Sequence, residues 1–284
     1  MIVSFNAYRG GNGKTTIAIN VAYKLAMDNK VLLVDFDSRA PALQDYIWTL
    51  LRRDQKPRSI LDYLFLEGVK PEECIGTIEA NGVSFDTMFV AERHGITPRT
   101  LLMLQRGQWE IVSGEYIKLL NLFEHFSNRG YDYILIDASP GFDEYNLMLI
   151  ASLSELILLT TRAHKADLEE TILYNLLAYR RLCDEKKKTV PLTRQYVRMI
   201  INEELEKNFT NTLIEEILKS VRMPQATADI VKESILARIR FYEELRFDKS
   251  PSIFSIFNRD HPFVGDIEYI AKKISEMSRS KYNA

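Results

Sequence analysis

Between Tyr8 and Thr16 the chain reads YRGGNGKTT, a stretch holding the residue types that bind polyphosphate. Gly10, Gly11 and Gly13 carry no Cβ, so successive backbone N–H groups can turn inward around an anion. Lys14 adds a mobile point charge for β- and γ-phosphate oxygens. Thr15 adds a hydroxyl, a hard oxygen ligand of the kind Mg²⁺ takes. A helix starting near Lys14 contributes its free N–H groups and its dipole. The strict phosphate-loop pattern GxxxxGK[ST] opens on glycine. Here that position is Tyr8, so a glycine-rich turn without a ligand is the rival reading.

Three acids stand where such a loop needs them. Asp137 closes the apolar run in YDYILIDASPG, and at a strand end it would hold the hydration shell of Mg²⁺ beside Thr15. Gly141, four residues on, lets the backbone swing toward a γ-phosphate; an ordinary turn at Ser139-Pro140-Gly141 is the alternative. Asp35 and Asp37 alternate about Phe36 in VLLVDFD, which puts both carboxylates on one side of a strand. One can orient or deprotonate a water; the other can tune Mg²⁺ or a switch. Thr15, Asp137 and Asp35 are thus the candidate metal group. Asn202 ends YVRMIIN. Its amide donates and accepts at once, which suits a purine edge and equally a turn or helix cap.

Such residues need strand ends and helix starts to hold them. The β-rich run MIVSFNA precedes the loop, and after it Ala18, Val21, Ala22 and Leu25 recur at helical spacing. Residues 31–37 form a continuous apolar run suited to a strand buried on both faces. Strand, helix, strand in this order implies a right-handed crossover. Further strands are predicted over 83–91, up to Asp137, over 155–161 and over 194–202. Helices are predicted near 42–53, 59–66, 99–106, 114–128, 144–153, 166–183, 206–220, 225–239 and 266–278. In the 114–128 helix Ile117, Leu120, Phe123 and Phe126 share a side. The alternation makes the fold α/β: a doubly wound, mostly parallel sheet with helices on both faces, in a single domain over 1–284.

The 284 residues are 46% hydrophobic, ample for a core, and the net charge of −2 gives no global footprint for nucleic acid. Cys74 and Cys183 form no CxxC, which disfavours an iron–sulfur or zinc site and points to a reducing compartment. His94, His125, His164 and His261 show no metal-binding spacing. The N-terminus enters the first strand directly and no run reaches the length of a membrane span, so a cytoplasmic location is expected.

From Gly10 through Thr16 the loop resembles the deviant phosphate loop of the ParA/MinD family, usually KGGxGKT[ST]. The resemblance covers about residues 1–278, and the family's signature Lys falls at Arg9. It implies that Gly10, Gly11, Asn12, Gly13, Lys14, Thr15 and Thr16 hold the phosphates of ATP. It also implies that Asp37, the second acid of a DxD element, is tied to water activation, with Asp35 in support. Arg9 would reach across a homodimer formed on ATP binding to the partner's phosphates, where its planar fork gives two parallel hydrogen bonds. Lys14, Asp37 and Arg9 are then the catalytic group. Asn202 would contact adenine, and RFYEELR (240–246), with Phe241 and Tyr242, resembles the segment that closes over the base. Arg240 stands where the family has Pro, and SRAPALQ after Asp37, with Arg39 and Pro41, departs from the family's switch region. SPSIF (250–254) resembles the segment before the family's last helix.

The implied activity is slow Mg²⁺-dependent ATP hydrolysis in a nucleotide-dependent dimeric switch for DNA segregation or intracellular positioning, with an activating partner. Arg180, Arg181, Lys186, Lys187, Lys188, Arg194 and Arg198 would then serve non-specific DNA binding; cations favoured at a helix C-terminus are the alternative. MinD-type members end in an amphipathic membrane helix, whereas EMSRSKYNA offers almost no apolar face. Two other readings stand beside this one. The first is an ATP-binding interaction protein with little hydrolysis. The second is a metabolic or targeting member of the wider group: amidotransferase, metallocluster carrier or tail-anchor ATPase. The missing CxxC disfavours the carrier, and the lack of a Met-rich apolar insert disfavours the tail-anchor role. Neither motif nor composition separates ATP from GTP.

Overall fold

A computed structural model of the chain describes residues 1–37, 42–52, 54, 56–91, 113–141, 144–189, 196–247 and 253–282. Among these residues eight strands form one sheet: β1 Ile2–Asn6, β2 Val31–Phe36, β3 Gly76–Ala80, β4 Val83–Met88, β5 Tyr133–Ala138, β6 Leu156–Arg162, β7 Tyr196–Glu204 and β8 Ile235–Arg240. Their order is β3-β4-β2-β5-β1-β6-β7-β8. All neighbours run parallel except β3 and β4. The helices are α1 Lys14–Leu25, α2 Leu43–Ile47, α3 Ile60–Phe65, α4 Ser113–Ser127, α5 Glu144–Leu153, α6 Lys165–Glu170, α7 Leu177–Thr189, α8 Lys207–Ser220, α9 Gln225–Glu233, α10 Glu243–Phe247, α11 Phe254–Phe257 and α12 Pro262–Tyr282. A π-helical segment, Thr171–Leu176, joins α6 to α7.

The central strands are apolar on both faces because both are covered. Val3, Phe5, Leu33, Leu135 and Leu158 pack with α1, α2 and α12 on one face. Val34, Ile136, Ile157 and Leu159 pack with α4, α6, α7, α8 and α9 on the other. β1 lies between β5 and β6, and its chain crosses over β5 to reach β2. In such sheets the crevice at the carboxyl ends of the strands is where a ligand fits. That end carries Asn6, Asp37, Asp137 and Asn202, with α1 entering beside them.

Several expectations need correction. The predicted 225–239 helix ends at Glu233, and Ile235–Arg240 is instead the edge strand β8. Ala237 and Ile239 are buried and alternate with Arg238 and Arg240, a period of two that the helical spacing upstream conceals. The strand predicted over 83–91 has a partner, β3, joined to it through Asn81 and Gly82, both left-handed at φ 49° and 80°. Asn-Gly is a strong signal for such a tight turn. In α4 the buried face is Leu119, Leu122, Phe123 and Phe126, while Ile117 is 54% exposed. The 42–53 helix is shorter: α2 passes into a 3-10 turn, Trp48–Leu50, and Leu51 pairs with Ile78 of β3. The last helix runs past its predicted ends at both sides. The helix predicted near 99–106 lies outside the described residues, as do Arg39, Pro41 and Arg194. Among the described residues no helix is long and apolar enough to cross a membrane.

Candidate functional site

The loop after β1 turns through Gly11 (φ 78°) and Gly13 (φ 81°), and Gly13 caps the start of α1. This backbone frees the first N–H groups of α1 toward the crevice. A Cβ on Gly13 would lie 2.3 Å from the side-chain nitrogen of Asn202, so glycine is required there on two grounds. Asn202 Nδ2 donates to the carbonyl of Asn12 (3.0 Å), and Asn12 Nδ2 donates to the carbonyl of Thr160 (3.4 Å). Strands β6 and β7 thus hold the loop from below.

Lys14 and Thr15 both turn to Asp137. The Lys14 ammonium pairs closely with Asp137 Oδ1, and Thr15 Oγ1 donates to Asp137 Oδ2 at 2.7 Å. Asp37 Oδ2 lies 3.9 Å from the same ammonium. Asp35, whose Cα registers with that of Asp137 across β2 and β5, is fully buried. Its Oδ1 accepts from the Asp37 backbone N–H (3.0 Å), and its Oδ2 meets no hydrogen-bond donor among the described residues. Two carboxyls therefore share one ammonium, with a third, Asp35, buried behind them. Burial, and then Asp137, push the Asp35 carboxyl well above the usual range. Burial also raises Asp137, against the pull of Lys14 and Thr15.

The sign of that shift makes a prediction. A carboxyl raised in the folded state contributes its stability below the ordinary carboxylate range and loses it as pH rises through the raised value. Asp35→Asn keeps the acceptor for the Asp37 N–H and cannot ionise. Thermal unfolding from pH 5 to 8 is expected to show the Asp35→Asn variant gaining on wild type as pH rises; a wild type equally favoured at every pH would refute this.

The acids form no closed metal cage: among the described residues no group of three His, Cys, Asp or Glu side chains is arranged to hold an ion. The donor set still fits Mg²⁺, which needs near-octahedral oxygen ligands and takes most of them from water and phosphate. One hydroxyl, Thr15, and one carboxylate, Asp137, already point at each other across the loop mouth.

Beyond the loop lies a cavity of about 240 Å³, lined by Gly11, Gly13, Thr16, Asn202, Phe241 and Tyr242 among others. The sequence-predicted base residues therefore do converge. Tyr46 and Phe263 share the lining and were not anticipated, since α2 and α12 carry no local motif pointing there. Glu203, next to Asn202, is left-handed at φ 56°, an uncommon geometry at the cavity wall.

Arg9 is held within its own chain. Its guanidinium takes both oxygens of Glu170, at 2.5 and 2.6 Å, and lies 3.7 Å from Asp167. The Glu170 contact, the largest cause, raises the Arg9 pKa. Asp167 is buried and also accepts from Arg162 Nε (2.7 Å). Tyr8 stacks on Tyr174 alongside, 5.6 Å between ring centres. Glu170 immediately precedes the π-helical segment, a form that recurs at functional sites. No signal in the sequence linked it to Arg9.

Of the basic residues whose side chains are described, Arg180 and Arg198 are neighbours: burial, and then the charge of Arg180, lower the Arg198 pKa. Arg180 donates to Ser234 (2.8 Å), Arg181 pairs with Glu185 (3.2 Å), and half-buried Arg198 lies over Tyr196. Nothing is described of the Lys186, Lys187 and Lys188 side chains.

A glycine loop running from a central parallel strand into a helix, with acids at the ends of the adjacent strand β5 and of β2 beyond it, defines a P-loop nucleotide-binding protein. Residues 1–180 match the family profile described as AAA domain, and the chain belongs to that family, with a fold of the ParA/MinD type. Among solved structures, a putative plasmid partition protein of Borrelia burgdorferi bound to AMPPNP is similar, with a TM-score of 0.64 at 20% identity over 97% of this chain and 98% of that one. The septum site-determining protein MinD of Pyrococcus horikoshii, complexed with Mg-ADP, gives a TM-score of 0.62 at 19% identity over 99% and 98%. These identities speak for the fold. By sequence, the chain is 31% identical over 166 residues to the chloroplastic Fe-S cluster assembly factor HCF101 of Oryza sativa subsp. japonica. That stretch is 56% of this chain and 26% of the relative, so the chain spans about a quarter of that protein's length.

Proposed function

We propose that this chain is a slow, Mg²⁺-dependent ATPase that dimerises on binding ATP and acts, as one domain, as a switch in DNA segregation or intracellular positioning. The observation that carries this reading is the convergence of Lys14 and Thr15 on Asp137 at the mouth of a glycine loop. In this reading the Lys14 ammonium exchanges Asp137 for β- and γ-phosphate oxygens, and the loop N–H groups take the rest. Thr15 and Asp137 hold Mg²⁺, which when bound neutralises charge on the phosphates. Asp37 positions the attacking water and takes its proton. Asp35, buried behind it, fixes the Asp37 backbone rather than reaching the ion itself.

The base reading rests on Asn202. One of its two N–H donors goes to the Asn12 carbonyl, which leaves the other and the acceptor Oδ1 for a base edge.

Arg9 must leave Glu170 before it can reach a partner's phosphates, so dimerisation and release of this pair are coupled. Glu170→Gln is expected to weaken the hold and raise the dimer fraction at a given ATP concentration; gel filtration with and without ATP reads this directly. The same contact favours a second reading, an ATP-binding interaction protein with little turnover. Phosphate release separates the two. A wild-type rate above Arg9→Ala by at least about tenfold fits an arginine acting on transition-state charge. Equal background rates, with ATP still tightly bound, favour the interaction protein.

The likeness to an Fe-S assembly factor brings cluster handling into the comparison. The thiols speak against it. Cys74 and Cys183 are buried, and burial pushes the Cys74 thiol up to about 12, far from a ready thiolate ligand.

A further inference from the structure

We propose that His261 is a positioning residue that sets the base end of the nucleotide site by holding Tyr242 and Phe263 as its aromatic wall. The inference rests on the nucleotide reading and goes beyond it in naming what makes the base subsite.

The cavity of about 240 Å³ is smaller than the roughly 300–1,000 Å³ of pockets that enclose whole ligands. It suits a flat base set against the loop, whose Gly11, Gly13 and Thr16 form one of its walls. Tyr46, Phe241, Tyr242 and Phe263 supply its aromatic lining. Tyr242 sits on an irregular stretch between β8 and α10, so something else must fix its ring. Its hydroxyl donates to Asp266 Oδ2 of α12 (2.9 Å), and its ring meets the His261 ring edge-on at 4.9 Å.

His261 is the residue just before α12, and both ring nitrogens are engaged. Nδ1 accepts the Phe263 backbone N–H at 3.2 Å, capping the first turn of α12. The ring proton is thereby assigned to Nε2, which lies 2.9 Å from Glu244 Oε1 of α10. One imidazole thus joins the start of α12, the helix after Tyr242, and the Tyr242 ring. Phe254 packs edge-on against both His261 (5.0 Å) and Phe263 (5.7 Å).

The same segment is tied to the phosphate half. Buried Asn20 of α1 accepts from the Ser255 N–H (2.9 Å) and hydroxyl (2.7 Å), and donates to the Thr16 carbonyl (2.8 Å). Residues 253–263 therefore brace base wall and phosphate loop against each other. An imidazole serves here because it accepts on one side, donates on the other, and presents a ring to an aromatic neighbour.

The test compares Mg-ATP with Mg-tripolyphosphate, which lacks base and sugar, by equilibrium titration of the full chain. His261→Asn retains a short acceptor for the Phe263 N–H but has no ring and no reach to Glu244. Wild type is expected to bind ATP more tightly than tripolyphosphate. His261→Asn is expected to lose roughly tenfold in ATP affinity, the upper end of an aromatic contact. Its tripolyphosphate affinity and its Tm stay near wild type. His261→Ala loses ATP affinity alike and also lowers Tm, because the cap goes too. A His261→Asn variant with wild-type ATP affinity overturns the proposal, and so does one that loses both ligands equally. A wild type that binds tripolyphosphate as tightly as ATP overturns the base subsite. A wild type that binds neither removes the nucleotide reading itself.

Discussion

Lys14→Ala is expected to lose ATP affinity on the order of 10²–10³-fold and to bring phosphate release down to background, the scale of breaking a buried charge pair at roughly 3–5 kcal/mol. Lys14 is 6% exposed and is the only ammonium that the carboxyls of Asp37 and Asp137 are seen to share among the described residues. A triphosphate brings several more negative charges to the same place. Without Lys14 the loop N–H groups alone must offset them, against a strand-end carboxylate that no longer has its partner. Lys14→Met, which keeps the stem and drops the charge, separates lost charge from lost packing. Calorimetric titration with Mg-ATP reads both variants. Wild-type affinity in either would show that the ammonium does not face the phosphates.

Gly13→Ala is expected to cost about 2–4 kcal/mol of stability, from a strained left-handed alanine plus a broken loop hydrogen bond. ATP binding is expected to fall with it. The added Cβ would sit 2.3 Å from Asn202 Nδ2, so the bond from Asn202 to the Asn12 carbonyl must break for the methyl to fit. Asn202 also lines the base cavity, so one methyl group disturbs both halves of the site. Gly10 is the control. Its backbone lies outside the left-handed region and a Cβ there meets nothing within 4 Å, so Gly10→Ala should unfold close to wild type. Thermal unfolding of the two variants side by side checks the contrast. Equal tolerance at both positions would contradict the described loop.

What could be read from sequence, and what could not, follows from how local each feature is. The loop from Gly10 to Thr16, its strand and its helix are contiguous, so residue type and spacing carry the whole signal. Asp35 and Asp137 were both expected near the loop because parallel strands bring their carboxyl ends to one edge; their side-by-side register on β2 and β5 comes from the strand order, which no local motif announces. β8 was misread because Ile230, Val231 and Ile235 continue a helical spacing; only pairing with β7 makes Ile235–Arg240 a strand. Ile117 was assigned to the wrong face because α4 is apolar over more than half its circumference, and packing against the sheet selected Leu119 and Leu122 instead. Glu170, Tyr46, His261 and Phe263 were not found at all. Each meets the site from a distant element, and a lone Glu or aromatic residue on a helix announces no partner.

The central claim is that triphosphate settles in the loop from Gly10 to Thr16, with a hydrated divalent ion held between Thr15 and Asp137. Titration of the wild-type chain with ATP, with and without Mg²⁺, tests it most directly. The account predicts saturable binding at one site per chain, tightened at least about tenfold by Mg²⁺, which corresponds to roughly 1.4 kcal/mol. Absence of saturation at millimolar ATP, or an affinity indifferent to Mg²⁺, would contradict it.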